Sequence, residues 1–114
     1  MKVVINKKHG GFGLSREAVL LYGYKKGLNI LAKQNQTLKN ITYYLNEEKK
    51  GNEWSQWNIE RGDLILIEVI EQIGDLANSS CSELKIVEIP DDIKWYIDDY
   101  DGIENIHECH RSWG

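Results

Sequence analysis

The first eighteen residues hold an apolar run, a glycine cluster and a helix-capping serine, and they constrain the fold more than any other segment. Residues 3–5 are apolar and lie close to lysines on both sides, which is typical of a buried strand. Three glycines within residues 10–13 require a sharp bend or a close backbone approach. Ser15 is a favourable N-cap for the helix that follows. Because a helix N-terminus after such a loop readily binds anions, the sequence predicts a phosphate or carboxylate cradle with Arg16 and Lys8 as charge partners.

Two familiar phosphate-binding motifs do not fit this glycine loop. A P-loop requires Gly-Lys followed by Ser or Thr, and no such step follows at the required spacing. A dinucleotide fingerprint requires a third glycine at the position that Arg16 occupies. A tight strand-to-helix turn that needs positive φ explains the glycines equally well. A general anion cradle and a structural turn therefore both stay open.

The spacing of apolar residues predicts an α/β protein of the α+β kind, in which a mostly antiparallel sheet packs in two layers with two or three helices. At 114 residues the chain is expected to form a single domain, residues 1–114. Helices are predicted from Ser15 to Lys26, from Asp63 to Asn78 and within 102–113. Strands are predicted over 2–7, 28–32, 41–45, 84–89 and 93–98, with the last two forming a hairpin. Residues 47–61 show no clear period and are expected to form a long loop, a kind of segment that is often functional.

The charge of the chain disfavours binding to a nucleic-acid backbone. The formal net charge is −4, the lysines are scattered and the C-terminal third is acidic, whereas duplex-DNA binders usually carry a basic stripe. A basic partner or a small ligand fits better. No apolar run approaches the roughly 18 residues of a membrane span, and the first residues do not form a signal peptide. We therefore expect a cytoplasmic protein, and in that compartment two free thiols at Cys81 and Cys109.

The tail carries the densest cluster of chemically useful side chains. His107, His110, Arg111 and Trp113 offer polar tips, a planar cation and a stacking face, which suit a nucleotide base and its phosphates. A solvated helix with a buried Trp113 is the structural alternative. Zinc is disfavoured because four ligands at characteristic spacings are lacking, and Cys109 and His110 would point apart on a helix. We expect no catalytic residue, no metal and no cofactor.

Two tryptophans lie in the long polar segment. Trp54 and Trp57 either fold back onto the core or form the aromatic anchors of a ligand or partner surface. The sequence does not decide between these two roles.

The two ends of the chain carry a resemblance to known proteins. Residues 3–6, 10–15, 84–92, 100–104 and 110–113 together resemble a widespread family of small bacteriophage and prophage proteins. Phage proteins of this size are often antagonists of host defence. The chain is similar in this respect to the Thoeris anti-defence and anti-CBASS sponges, which sequester cyclic nucleotide or cyclic ADP-ribose signals without cleaving them.

The resemblance and the phosphate-cradle interpretation together predict a non-enzymatic binder of a small phosphorylated signal molecule in the host bacterial cytoplasm. Such sponges are oligomers, so a homo-oligomer is expected. Membranes and duplex nucleic acid are not expected partners. The predicted ligand-binding residues are Gly10, Gly11, Phe12, Gly13, Ser15, Arg16, Tyr100, Asp101, His107, His110, Arg111 and Trp113.

Two other functions remain open from the sequence. The first is a protein-binding inhibitor of the anti-CRISPR kind, whose acidic surface mimics nucleic-acid phosphates. Its surface residues would be Asp91, Asp92, Asp98, Asp99, Asp101 and Glu104. The second is a hydrolase of the same signals that uses His107 or His110 as general base.

Overall fold

Two α-helices and seven strands organise the part of the chain that the computed structural model describes, residues 1–34 and 40–109. The helices are α1 (Arg16–Lys26) and α2 (Leu64–Ile73). The strands are β1 (Lys2–Asn6), β2 (Ile30–Gln34), β3 (Ile41–Leu45), β4 (Glu53–Trp54), β5 (Leu84–Glu88), β6 (Trp95–Tyr100) and β7 (Ile103–Glu108). Short 3₁₀ turns span Gln56–Asn58 and Gly74–Ala77.

Both helices begin where their capping residues predict. The Ser15 hydroxyl accepts a hydrogen bond from the Ala18 amide, and Gly27 ends α1 with a φ of 78°. The Asp63 carboxylate accepts hydrogen bonds from the amides of Ile65 and Leu66 at the start of α2. The predicted starts of both helices are therefore confirmed.

The strands form three small antiparallel sheets. β1 pairs with β5, β2 with β3 and β4 in order, and β6 with β7. The α+β class with antiparallel sheets packed against helices is confirmed. The 47–61 segment is less irregular than expected, since it contains β4 and a 3₁₀ turn.

The predicted hairpin between 84–89 and 93–98 is wrong. β5 pairs instead with β1, where Val3 lies opposite Val87, and β6 pairs with β7, where Ile97 lies opposite Ile106. β1 is buried on both faces and needs a partner strand, which β5 supplies. The turn at Pro90 therefore connects two sheets.

The predicted tail helix is also wrong within the described residues, because Ile103–Glu108 is a strand. Asp101 and Gly102 both have positive φ, 52° and 88°, and they form the two-residue loop between β6 and β7. An Asp-Gly pair with this geometry is the strongest short hairpin signal in a sequence. The remainder of the predicted helix, 110–113, lies outside the described residues.

The core lies where α1 and α2 meet above β1. Leu66, Val69, Val19 and Val4 are fully buried there, and Tyr43 adds the β2–β3–β4 sheet to the same cluster. No helix within 1–34 and 40–109 has the length and apolar character needed to cross a bilayer.

Candidate functional site: an aromatic pocket beside the glycine loop

A pocket of about 610 Å³ opens between the glycine loop, the segment 56–62 and β6. This volume lies within the range of small-molecule sites, which are mostly apolar with a few polar groups. We call it the aromatic pocket. Its lining residues are Met1, Phe12, Gln56, Trp57, Asn58, Ile59, Glu60, Arg61, Gly62, Trp95 and Ile97.

Three aromatic side chains from three separate segments line this pocket. Phe12 comes from the glycine loop and is buried, and its ring centroid lies 5.9 Å from that of Trp57. Ser55 caps the 3₁₀ turn that presents Trp57, which is 65% exposed. Alternation along β6 directs Trp95 and Ile97 to the same side. An exposed tryptophan facing two further apolar walls is available to stack on a planar ligand.

Arg61 forms one wall of the aromatic pocket. Its guanidinium carbon lies 3.6 Å from the centroid of the Phe12 ring, a close cation–π contact. The same guanidinium donates two hydrogen bonds to the Glu104 carboxylate, of 2.6 and 2.9 Å. Glu104 is only 3% exposed. This bidentate pair neutralises the charge of Arg61 and fixes the plane of its guanidinium.

The ion pair is anchored to β1. The Val4 amide donates to the Arg61 carbonyl at 2.9 Å, and the Arg61 guanidinium donates to the Val4 carbonyl at 3.3 Å. The Asn6 amide donates to Glu104 at 2.8 Å. These hydrogen bonds therefore attach both segment 56–62 and β7 to β1.

The side chain of Asn6 connects three further segments. It is fully buried, and its amide nitrogen donates to the carbonyls of Lys8 and Gly102 at 2.6 Å each. Its amide oxygen accepts from the Glu83 amide at 2.8 Å. A buried amide with each of these bonds made ties the glycine loop, β5 and the β6–β7 turn together.

The glycine loop and the β6–β7 turn lie in contact. A Cβ atom placed on Gly102 would lie 2.4 Å from the Gly11 nitrogen and 2.6 Å from that of Gly10. His9 also approaches the Asp101 carboxylate at 3.2 Å. The space between Gly102 and the amides of Gly10 and Gly11 is too narrow for a methyl group, so a phosphate does not fit on that side of the loop. The other side is open, because Gly10 is exposed and a Cβ at Gly11 would meet nothing within 4 Å.

A smaller concavity of about 370 Å³ lies at the N-terminus of α1 and includes Ser15 and the exposed Arg16. Gln56 borders both this concavity and the aromatic pocket. Its side-chain oxygen accepts a hydrogen bond of 2.7 Å from the Leu14 amide. Gly13 is buried beside this segment, where its carbonyl accepts from the Ser82 hydroxyl at 2.6 Å.

The structure does not bring His107 to the aromatic pocket. The His107 ring stacks on Tyr96, with 5.6 Å between the centroids, on the hairpin face opposite to Trp95. Tyr100 shares that outer face and is exposed near the turn that contains Asp101. His110, Arg111 and Trp113 lie outside the described residues.

The aromatic pocket depends on residues that the sequence interpretation did not select. Arg61 and Glu104 are 43 positions apart, and no local pattern announces their pairing. Glu104, which was expected on an acidic surface, is buried. Trp95 and Ile97 alternate with polar residues, and this period did mark them as an inward-facing pair. Of the two tryptophans left open, Trp54 packs on the core between Tyr22 and Tyr43, while Trp57 lines the pocket.

The described residues contain no candidate metal site, and the chain matches no known family. Within 1–34 and 40–109, no three His, Cys, Asp or Glu side chains are grouped so that they could hold a metal ion. Comparison of the chain with protein-family models, with curated proteins and with solved structures finds no match.

Proposed function

We propose that this protein binds a small nucleotide-type ligand in the aromatic pocket and sequesters it without cleavage. The proposed ligand is a cyclic nucleotide or a cyclic ADP-ribose-type signal of a bacterial host. The proposed protein is encoded by a phage and acts as an oligomer in the host cytoplasm. The observation that carries the proposal is a cavity of about 610 Å³ lined by Phe12, Trp57 and Trp95. Stacking of a base on an aromatic side chain contributes roughly 1–3 kcal/mol.

The arrangement beside the pocket supports a ligand that has a base at one end and phosphates at the other. Arg61 is already neutralised by Glu104, so the aromatic pocket favours an uncharged ring. The α1 N-terminus and the exposed Arg16 lie beyond Gln56, where amide groups and a cation favour an anion. A nucleotide could span the two concavities across Gln56.

The residues lining the pocket also support binding without chemistry. Its described lining contains no serine, threonine, cysteine, lysine or histidine. A hydrolase would therefore have to use Glu60 as general base without a nucleophilic side chain beside it. It is less well supported than a sponge.

Thermal unfolding with a ligand panel tests this proposal. The panel holds cyclic di- and trinucleotides, cyclic ADP-ribose isomers and ADP-ribose, and each ligand is recovered by chromatography after heating. A ligand present at 100 times its Kd is expected to add about 2.7 kcal/mol of apparent stability. Recovery of the ligand intact supports a sponge, and recovery of an altered ligand shows an enzyme. The absence of a shift with every member contradicts the proposal.

A pair of variants locates the binding. Trp57→Ala is expected to abolish the shift, because it removes the exposed ring of the aromatic pocket. Tyr24→Ala is the matched control, since Tyr24 is an exposed aromatic residue on α1 that does not line the pocket. If both variants lost the thermal shift equally, the effect would not be specific to the aromatic pocket, and the ligand would have to bind elsewhere.

One observation favours a second function, binding to a basic host protein. The outer face of the β6–β7 hairpin exposes Tyr96 and Tyr100, a residue type enriched at interfaces, and between them Asp98, whose charge complements a basic partner. Two results together would favour this inhibitor over the sponge. The first is binding to a basic host protein whose affinity falls steeply as the salt concentration rises, and the second is the absence of a thermal shift with any ligand of the panel.

A further inference from the structure

The charges that line the aromatic pocket exclude a phosphate from it. The Glu104 carboxylate neutralises the charge of Arg61 by accepting two hydrogen bonds from its guanidinium. Glu60 also lines the pocket, and its carboxylate forms no ion pair or hydrogen bond with any residue in 1–34 or 40–109. Only its backbone carbonyl is used, by the Asp63 amide at 3.1 Å. Met1 also lines the pocket, and Asp91 neutralises its ammonium. Glu60 therefore leaves a net negative charge at the pocket, which repels an anion and attracts hydrogen-bond donors.

Gln56 lines the same pocket and supplies a hydrogen-bond donor. The side-chain oxygen of Gln56 accepts a hydrogen bond from the Leu14 amide, so its NH₂ group can donate hydrogen bonds to a ligand. The pocket thus offers an amide donor and a carboxylate acceptor next to a stacking face formed by Trp57.

Among the bases, guanine alone presents the complementary edge. Its O6 accepts one hydrogen bond, and its adjacent N1–H and N2–H₂ groups donate two, which matches the two oxygens of a carboxylate. Adenine presents an unprotonated N1 next to its amino group, and this lone pair would face the carboxylate unfavourably. Uracil offers a single N–H between two acceptors.

We propose that the aromatic pocket selects guanine, with Glu60 accepting from N1–H and N2–H₂ while the base stacks on Trp57. This inference rests on the proposed function, because it names which base of the nucleotide-type ligand enters the pocket. Glu60 is a specificity-determining residue in this arrangement, and Gln56 donates to the guanine oxygen.

Calorimetric titration of the full chain with guanosine, inosine and adenosine tests the selection without any phosphate. Inosine lacks the N2 amino group but keeps N1–H and O6. We expect guanosine to bind about tenfold more tightly than inosine, and adenosine more weakly than both. This ranking is measured on the unaltered protein, so it does not depend on the folding of a variant.

Two variants extend the titration. Glu60→Gln is expected to weaken guanosine binding by about tenfold and to leave adenosine binding within twofold. Glu83→Gln changes an exposed carboxylate that does not line the pocket, and it should change neither affinity. Loss of guanosine binding in both variants would overturn the role of Glu60.

The failure of this inference is distinguishable from that of the proposed function. Equal binding of all three nucleosides, or a Glu60→Gln variant that keeps the guanosine preference, overturns the guanine selection and leaves the base-binding pocket standing. Binding of none of the three at millimolar concentration overturns the guanine selection, and a thermal shift with no member of the ligand panel is the separate result that contradicts the proposed function.

Discussion

The Arg61–Glu104 pair is the residue-scale feature on which the aromatic pocket depends. Removing two charges from water is costly, and such a pair stabilises a fold only when its geometry is good and its remaining groups are hydrogen-bonded. Here the guanidinium also bonds the Val4 carbonyl, and the carboxylate accepts from the Asn6 amide. We interpret the pair as the device that holds the Arg61 plane against Phe12.

Glu104→Ala is expected to destabilise the protein by about 3 kcal/mol, because it leaves the Arg61 cation and the Asn6 amide without their partner in a buried place. Glu108→Ala, on the same strand but exposed, should stay within about 0.5 kcal/mol of the unaltered protein. Urea denaturation measures both free energies of unfolding. A cost below about 1 kcal/mol for Glu104→Ala would show that the pair is not structurally important.

Asp63 links stability to pH at the residue scale. Burial raises the pKa of Asp63, but hydrogen bonds from Tyr22, the Ile65 and Leu66 amides and Lys26 outweigh burial and hold that pKa below its ordinary value. A lowered pKa in the folded state adds stability above the unfolded value, near pH 4, and this stability is lost as the pH falls through the folded value.

Asp63→Asn is therefore expected to cost about 1–2 kcal/mol at pH 6, since the amide keeps the helix cap but loses the charge. The difference from the unaltered protein should shrink as the pH falls below about 4. Urea denaturation at pH 6, 4 and 2.5 measures it, with the exposed Asp92→Asn as control. A difference that is constant across this range would refute the linkage.

At the scale of elements, the contact between the glycine loop and the β6–β7 hairpin joins segments from opposite ends of the chain. Gly10 and Gly11 lie against Gly102, and each of the three has positive φ. The positive φ of Gly10 and Gly11 supports the structural-turn interpretation, and the close approach explains the need for glycine at position 102. The contact sets the hairpin at the angle that places Trp95 and Ile97 on the pocket.

Gly102→Ala tests this contact against a matched glycine. Both Gly102 and Gly51 have strongly positive φ, 88° and 96°, so alanine is strained at either position. A Cβ at Gly51 meets nothing within 4 Å, whereas one at Gly102 meets the glycine-loop backbone.

We expect Gly51→Ala to cost about 1 kcal/mol and Gly102→Ala clearly more, with loss of ligand binding in the second variant alone. Chemical denaturation and the ligand panel measure the two effects. Equal costs in the two variants would show that the close approach has no energetic weight.

The sequence predicted the helices better than the strand pairing, for a physical reason. A cap such as Ser15 or Asp63 acts within three residues, so its signal is local. The pairing of β5 with β1 joins distant segments, from Asn6 opposite Leu84 to Lys2 opposite Glu88, and no local pattern specifies it. The Asp101-Gly102 step favours a hairpin, whereas the spacing of Ile103 and Ile106 also fits one face of a helix. The local pattern therefore does not decide between a strand and a helix at this segment.

At the scale of the whole molecule, the candidate site was only partly accessible from the sequence. Phe12 is predicted as a site residue because it lies in the glycine loop, whereas the sequence leaves Trp57 open between core packing and a ligand or partner surface. Arg61 and Trp95 join them only after the chain has folded, since they come from separate segments that the Asn6 and Glu104 network draws together. His107 shows the converse, because its strand turns it to the other face.

The central claim is that a base enters the aromatic pocket, and the indole N–H signals of ¹⁵N-labelled protein titrated with guanosine test it most directly. Signals are assigned with single Trp→Phe variants. The account predicts that the Trp57 and Trp95 signals shift along a common saturation curve while Trp54, which packs between Tyr22 and Tyr43, stays in place. No shift of Trp57 and Trp95 at saturating guanosine, or a shift of Trp54 alone, would contradict it.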